Sequence, residues 1–417
     1  MKRIRNLAAA TLALLSLTAP ARARQLAPLP SPEERAFIAA KIYSSVNTYF
    51  AHWQAVPHLD FDAEFKRYVA RALGADTRLD FDLATAELFA SLGNGHTQFV
   101  DRNLYGDALP PLAARVVEGK WVVTRSFAEG FRPGEEILMV DDQPIEEFFR
   151  QSRKYIAASD ERAARRAFFF RPYVWPDRYT LTLGGGRKVV VERAKLKATP
   201  PPTPETEGRW LKEGELAYVK VPSFGESRFE QKALELVRRF REAKALVVDV
   251  RGNGGGSTPQ QLTKALMGRP YRWWAEATPQ TLAVLRYRRE YHTNTMMTWG
   301  GETIEPGEPV FRGRLIILAD GGCGSACEDF VMPFKDNGRA TVIGERTAGS
   351  TGQPYLHDFG NGMLIVVGSI RTFFPDGAPF EGVGIAPDIE LPASLKDLRE
   401  GTDAVLRRAV EEAAKAR

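Results

Sequence analysis

Apolar residues recur at helical spacing through Phe37, Ile38, Ile42, Val46 and Phe50, one face of an amphipathic helix. Its start is written in Ser31-Pro32-Glu33-Glu34: a capping hydroxyl, a proline at the first helical position and acids at the positive helix end. Phe61 to Leu73 and Leu83 to Leu92 read as further helices, stopped by Gly74 and Gly93. From Leu112 to Arg193 the apolar runs shorten to strands. Trp121-Val122-Val123 and Ile137-Leu138-Met139-Val140 are strand-like, and Tyr179–Leu183 turns through Gly184-Gly185-Gly186 into Lys188–Val191 as a hairpin. Pro200-Pro201-Pro202-Thr203-Pro204 fits neither a helix nor a central strand and marks a linker. Beyond it, compact apolar runs at Leu216–Val221, Ala245–Val250, Leu315–Leu318, Thr341–Gly344 and Leu364–Val367 alternate with helical stretches, one carrying Phe229, Leu234, Val237 and Phe240, another following Cys327. Such alternation predicts an α/β core with a largely buried sheet. The expected organisation is multi-domain α/β: a helical unit over 31–100, a small β domain over 106–195, a Pro-rich linker over 196–207, an α/β core over 208–400 and a C-terminal helix over 401–417.

Composition narrows the class. With 417 residues, 44% hydrophobic and 26% charged, the chain is globular rather than disordered or collagen-like. Its formal charge of +5 hints at an anionic partner, but Lys2, Arg3, Arg5 and Arg22 supply four of those charges, leaving the remainder at +1. Those residues frame the apolar run Leu7–Ala19 and the small-residue stretch Ala21-Arg22-Ala23, the pattern of a secretory signal peptide over 1–23 cleaved after Ala23. The alternative is an uncleaved N-terminal membrane anchor, although the run is short for a bilayer span. A periplasmic or secreted chain follows, touching the membrane only transiently through its signal, in a compartment where Cys323 and Cys327 are able to oxidise. Whether they form a disulfide or remain two buried thiols is left to geometry. Arg286–Arg289 and the arginines of 162–171 are bordered by Glu290 and Glu161 and read as solvated faces, so no nucleic-acid partner is expected.

Three segments carry candidate chemistry. Asp249-Val250-Arg251-Gly252-Asn253-Gly254-Gly255-Gly256 follows a buried strand and offers bare N–H groups. It is neither a dinucleotide fingerprint, since Ser257 takes the place of the third glycine, nor a P-loop. Gly321-Gly322-Cys323-Gly324-Ser325-Ala326-Cys327-Glu328 places a serine between a strand end and a helix, where it is either a helix cap or an exposed nucleophile. His96 lies in the loop Gly93-Asn94-Gly95-His96-Thr97 and is one of five histidines; no His-x-x-x-His or Cys-x-x-Cys spacing is present, so neither metal nor cofactor is expected.

Taken in order, these motifs resemble the tail-specific (C-terminal processing) serine peptidases. So do Lys335–Thr347 and the closing Phe380-Glu381-Gly382-Val383-Gly384-Ile385-Ala386-Pro387-Asp388, while Phe131–Asp142 resembles a segment of PDZ domains. The resemblance implies a PDZ-like middle domain, a crotonase-like or ClpP-like sheet in the core, and Ser325 as nucleophile. Where one branch of the family carries a base lysine, this chain has Ser350. The branch that looks like the tricorn protease core instead takes a histidine, here His96, with a relay glutamate matching Glu381. That branch's serine before the histidine is Gly95 here, so Thr97 or a water would have to complete the path from Glu381 to His96. The oxyanion would be held by the N–H groups of Ala326 and Gly255. The function so implied is an exported serine endopeptidase acting on peptide or unfolded protein substrates. The alternatives are a catalytically silent peptide- or ligand-binding protein on the same scaffold and a small-ester acyl-hydrolase.

Overall fold

The computed structural model describes residues 28–105, 110–196, 202–280, 295–308 and 310–415. The expected signal peptide, part of the Pro-rich linker and the Arg286–Arg289 cluster lie outside the described residues. Among those described, no helix is long and apolar enough to cross a membrane.

The first helix, Pro32–Tyr49, opens with a reciprocal cap in which Ser31 Oγ accepts from Glu34 N–H and the Glu34 carboxylate accepts from Ser31 N–H. Phe61–Leu73 forms as expected. The third helix starts at Arg78 rather than Leu83, because Thr77 and Asp80 make a second capping box ahead of the apolar run. Ile42, Val46, Phe50, Phe81 and Phe89 are wholly buried beneath these helices. They do not close a core by themselves. Met363, Ile365 and Val367 join them from the strand Met363–Gly368, which pairs antiparallel with Gln98–Asp101 on one side and Pro354–Asp358 on the other. The Leu364–Val367 run is therefore not a strand of the main sheet. All six residues of Met363–Gly368 are buried, so its apolar run carries no sign of which sheet it belongs to. This pairing anchors the chain immediately after His96 to the C-terminal third of the molecule.

The main sheet has six strands in the order Ile389–Glu390, Ala340–Gly344, Arg314–Ala319, Ala245–Asp249, Leu216–Lys220 and Glu207–Lys212. All neighbours run parallel except the last pair. Ala245–Asp249 is buried throughout, which explains its unbroken apolar run, since a parallel sheet is covered on both faces. On one face Val248 and Ile317 meet helices Ser227–Arg239 and Ala326–Asp336 through Val237, Phe330 and Phe334. On the other, Val247, Ile316 and Leu318 meet Val405 and Ala409 of the C-terminal helix Ala404–Ala414. The register aligns Asp249 with Leu318 and Ala319 with Gly344. The glycine run, the serine turn and the loop after Gly344 thus leave the same edge, the place where open α/β sheets bind ligands.

Between the helical unit and the core lies a β-rich unit with a core of its own. Its strands are Leu112–Val117 with Lys120–Ser126, and Gln143–Pro144, Ile137–Val140, Arg178–Leu183 and Lys188–Glu192 in a second sheet. Aromatic rings fill it. Phe168 is fully buried, with centroids 5.3 Å from Phe149, 4.8 Å from Trp175 and 5.5 Å from Trp121. Truncating this ring leaves a void that its rigid aromatic neighbours fill poorly. Phe168→Ala should therefore destabilise the unit by about 3–5 kcal/mol, read as a lowered urea midpoint of tryptophan fluorescence; an unchanged midpoint would show that the ring cluster does not hold this unit together.

Candidate active site

Ser325 is the residue before helix Ala326–Asp336 and holds φ 52°, ψ −125°, a backbone region sparsely populated by non-glycine residues. The neighbourhood enforces that conformation. Its N–H is held by Ser350 O at 3.0 Å and by Glu328 Oε2 at 3.2 Å, and its C=O accepts from the N–H groups of Glu328 and Asp329. Gly255 (φ 99°) backs directly onto it: a Cβ there would stand 2.8 Å from Ser325 Cβ and 2.9 Å from Ala326 N, so glycine alone fits. Asp320 Oδ1 accepts from both Gly252 N–H (2.8 Å) and Gly322 N–H (2.9 Å), tying the glycine run to the serine turn. Cys323 and Cys327 are joined by a disulfide across the turn and are wholly buried.

The loop Gly93–Thr97 is shaped by Asn94. Its Oδ1 accepts from His96 N–H (3.0 Å) and Thr97 Oγ1 (2.8 Å), a local turn typical of asparagine. This aims the imidazole at the serine turn, with Nε2 3.1 Å from Ser325 Oγ. The other ring nitrogen, Nδ1, lies 2.7 Å from Ser350 Oγ, and that hydroxyl donates to Glu381 Oε1 at 2.8 Å. With Ser350 donating to the carboxylate, Nδ1 carries the ring proton and Nε2 is left as acceptor for the Ser325 hydroxyl. Glu381 Oε1 also receives Asn94 Nδ2 (2.7 Å) and the Ser159 hydroxyl.

The structure therefore brings Ser325, His96 and Glu381 together, but by a route that the sequence reading did not anticipate. Ser350, read there only as a missing lysine, is the link between histidine and glutamate. Thr97 lies off that path, giving its hydroxyl proton to Asn94 Oδ1 and accepting from Gly368 N–H. Gly95 suits the arrangement, since a Cβ at that position would come within 2.9 Å of Ser350 Oγ. Of the two expected oxyanion donors, Ala326 N–H opens the helix, where amides lack intrahelical partners. Gly255 N–H instead donates to the buried Asn253 Oδ1 at 2.9 Å, so that donor is already engaged. Asn94 and Ser159 escaped notice in the sequence; the Gly-Asn-Gly turn around Asn94 was the one available signal.

Burial governs the electrostatics. It lowers the His96 pKa to about 4, keeping the ring neutral at physiological pH. It raises Glu381 to about 7, against the opposing pull of the Ser159 and Ser350 hydroxyls. Glu328, also buried, is raised to about 8, with hydrogen bonds from Thr347, Gly349 and Ser350 acting in the other direction. Its carboxylate gathers Thr347 Oγ1, Gly349 N–H and Ser350 N–H, which fixes the loop carrying Ser350 to the helix that follows Ser325.

Residues 215–391 match the model of peptidase family S41. The matched span is less than half of the chain. Ser325, Ser350, Glu381 and Gly255 fall inside it, whereas His96 and Ser159 come from outside. The chloroplastic carboxyl-terminal-processing peptidase 3 of Arabidopsis thaliana is 25% identical over 276 residues, 64% of this chain and 49% of its own length. Putative tricorn protease homolog 2 of Streptomyces coelicolor is 29% identical over 208 residues, 48% of this chain and 16% of its own. The chain spans less than half the length of the curated relatives it matches. Among solved structures, mature CPAF aligns with TM-score 0.68 at 16% identity, over 88% of this chain and 94% of its own. The photosystem II D1 C-terminal processing protease aligns with TM-score 0.52 at 17% identity, over 89% and 98%. At these identities the likeness is one of fold: a mixed α/β, multi-domain architecture shared with S41 proteases.

The disulfide has a direct chemical check. Alkylation of the denatured protein should modify neither Cys323 nor Cys327 until a reductant is added, as read by intact mass; modification of both without reductant would remove the bridge from the site.

Proposed function

We propose that the protein is a serine-type endopeptidase of the C-terminal processing kind, working through an acyl-enzyme on Ser325. The observation that carries this reading is the unbroken hydrogen-bond chain Ser325–His96–Ser350–Glu381. Neutral His96 Nε2 takes the hydroxyl proton as Ser325 Oγ attacks the scissile carbonyl. The imidazolium formed is steadied by the Glu381 carboxylate through Ser350, and the same proton passes to the leaving amine. Water, deprotonated by His96 in turn, then hydrolyses the ester and frees Ser325. Ala326 N–H faces the developing oxyanion as the first amide of its helix. Gly255 N–H joins it on exchanging Asn253 Oδ1 for the substrate oxygen.

An extended peptide or unfolded chain is the substrate class that suits this chemistry. The β-rich unit is the proposed receiver of chain ends, by strand addition. Export is proposed from the Lys2–Ala23 pattern and accords with the disulfide beside Ser325. Fluorophosphonate labelling and peptide cleavage by wild type and variants test the assignment. Ser325→Ala should abolish both, and His96→Ala should lower kcat by about 10²–10⁴-fold. Ser350→Ala removes a hydrogen bond to a charged group, about 1.5–3 kcal/mol, and should cost roughly ten- to a hundredfold in kcat. Full activity in Ser325→Ala or His96→Ala would end the proposal. An unlabelled wild type would favour the silent binding protein, and ester turnover without peptide turnover the acyl-hydrolase.

The pH profile has a definite sign. His96, lowered to about 4, is neutral across the working range, while Glu381, raised to about 7, becomes ionised only as pH rises through that value. kcat/KM should therefore climb between about pH 6 and 8. A profile that is flat down to about pH 5 would show that ionised Glu381 is not required.

A further inference from the structure

The β-rich unit does more than lie beside the core. Its segment Ser159–Arg166 touches three separate loops of the site. The Ser159 hydroxyl accepts from Gly95 N–H at 2.8 Å, in the loop that carries His96, and donates its proton to Glu381 Oε1. One hydroxyl is thus used in both directions, between two groups that must keep register for the relay to form. Asp160 caps the following helix, Glu161–Ala167, and holds the Arg162 guanidinium, which reaches Val383 O at 3.2 Å and Gly382 O at 3.4 Å, beside Glu381. Gly382 (φ 76°) lies so close that a Cβ there would stand 3.0 Å from Ser159 O. Arg166 presses on the serine turn: a Cβ on Gly321 would fall 2.4 Å from its Nη1.

We propose that Ser159 is a positioning residue for the relay, supplied across the unit boundary by the β-rich unit. Its hydroxyl holds the Glu381 carboxylate in place for Ser350 and, through Gly95 N–H, holds the loop that aims His96. The relay is then complete only when the β-rich unit is seated on the core, so seating of that unit and turnover are one event. The inference rests on reading Ser325, His96, Ser350 and Glu381 as catalytic. Ser159 itself touches none of the reacting atoms.

The hydrogen bond from Ser159 favours the ionised form of Glu381. The titratable and charged groups around that carboxylate are Glu328, Arg371, the neutral His96 beyond Ser350 and, through the neighbouring carbonyls, Arg162. A Ser159 variant leaves all of them in place. Removing the hydroxyl therefore moves the titration of Glu381 upward.

The test measures kcat and KM of wild type, Ser159→Ala and Ser159→Cys on fluorescein-labelled casein between about pH 5.5 and 9, with fluorophosphonate titration counting intact sites. Ser159→Ala should lose roughly tenfold in kcat at neutral pH with KM unchanged. Its acid limb should move to higher pH, with kcat recovering toward wild type in the alkaline range. Ser159→Cys, similar in shape but a weaker donor, should fall between the two. A Ser159→Ala acid limb that coincides with wild type, or a loss confined to KM, would overturn the proposal and leave the catalytic reading intact. A wild type that neither labels nor cleaves would overturn both.

Discussion

A buried carboxylate needs donors, and the way Glu381 obtains them organises the whole site. Desolvation opposes its ionisation, and three donors converge on one of its oxygens from segments far apart in the chain: Asn94, Ser159 and Ser350. Each donor also does something else. Asn94 shapes the histidine loop, Ser159 holds that loop's backbone, and Ser350 passes the carboxylate's influence to His96 Nδ1. Bringing three donors to one oxygen of this carboxylate therefore aligns a helical unit, a β-rich unit and an α/β core around a single serine.

The rest of the architecture brings these segments within reach. The register of the parallel sheet delivers the glycine run and the serine turn side by side at one sheet edge, and Asp320 fastens them to each other. Glu328, which is buried, and Asp329, which is half-buried, are consecutive residues on the helix after Ser325 and both bind the loop after Gly344. Glu328 gathers Thr347, Gly349 and Ser350, and Asp329 takes Thr351, Thr258 and Trp274. The strained backbone of Ser325 persists because these groups, together with the disulfide and the close approach of Gly255, leave it no room to relax.

Much of this was legible in the chain because local rules govern it. The Ser31 capping box, the Tyr179–Val191 hairpin and the buried strand Ala245–Asp249 each carry their signal within a few residues. What escaped is non-local. The strand Met363–Gly368 is apolar on both faces, so its pairing with Gln98–Asp101 is decided by packing against helices more than two hundred residues earlier. Ser350 was visible only as a base that was not there, because a relay hydroxyl has no motif of its own; it gains meaning from His96 and Glu381 on either side. Ser159 lies in a stretch with no chemical signature, and its role follows from how the β-rich unit seats on the core.

The direction of the relay is its most exposed feature. In the proposed relay Glu381 orients Ser350, Ser350 Oγ accepts a hydrogen bond from His96 Nδ1–H, and Nε2 is left free to receive the proton of Ser325. Nitrogen NMR of histidine-labelled protein, with His96 assigned by its loss in His96→Gln, reads that tautomer directly. The relay predicts a proton on Nδ1 and none on Nε2 at mildly alkaline pH, with the Nδ1 signal altered in Ser350→Ala. A proton found on Nε2 in the wild type would contradict the relay and remove the base from Ser325.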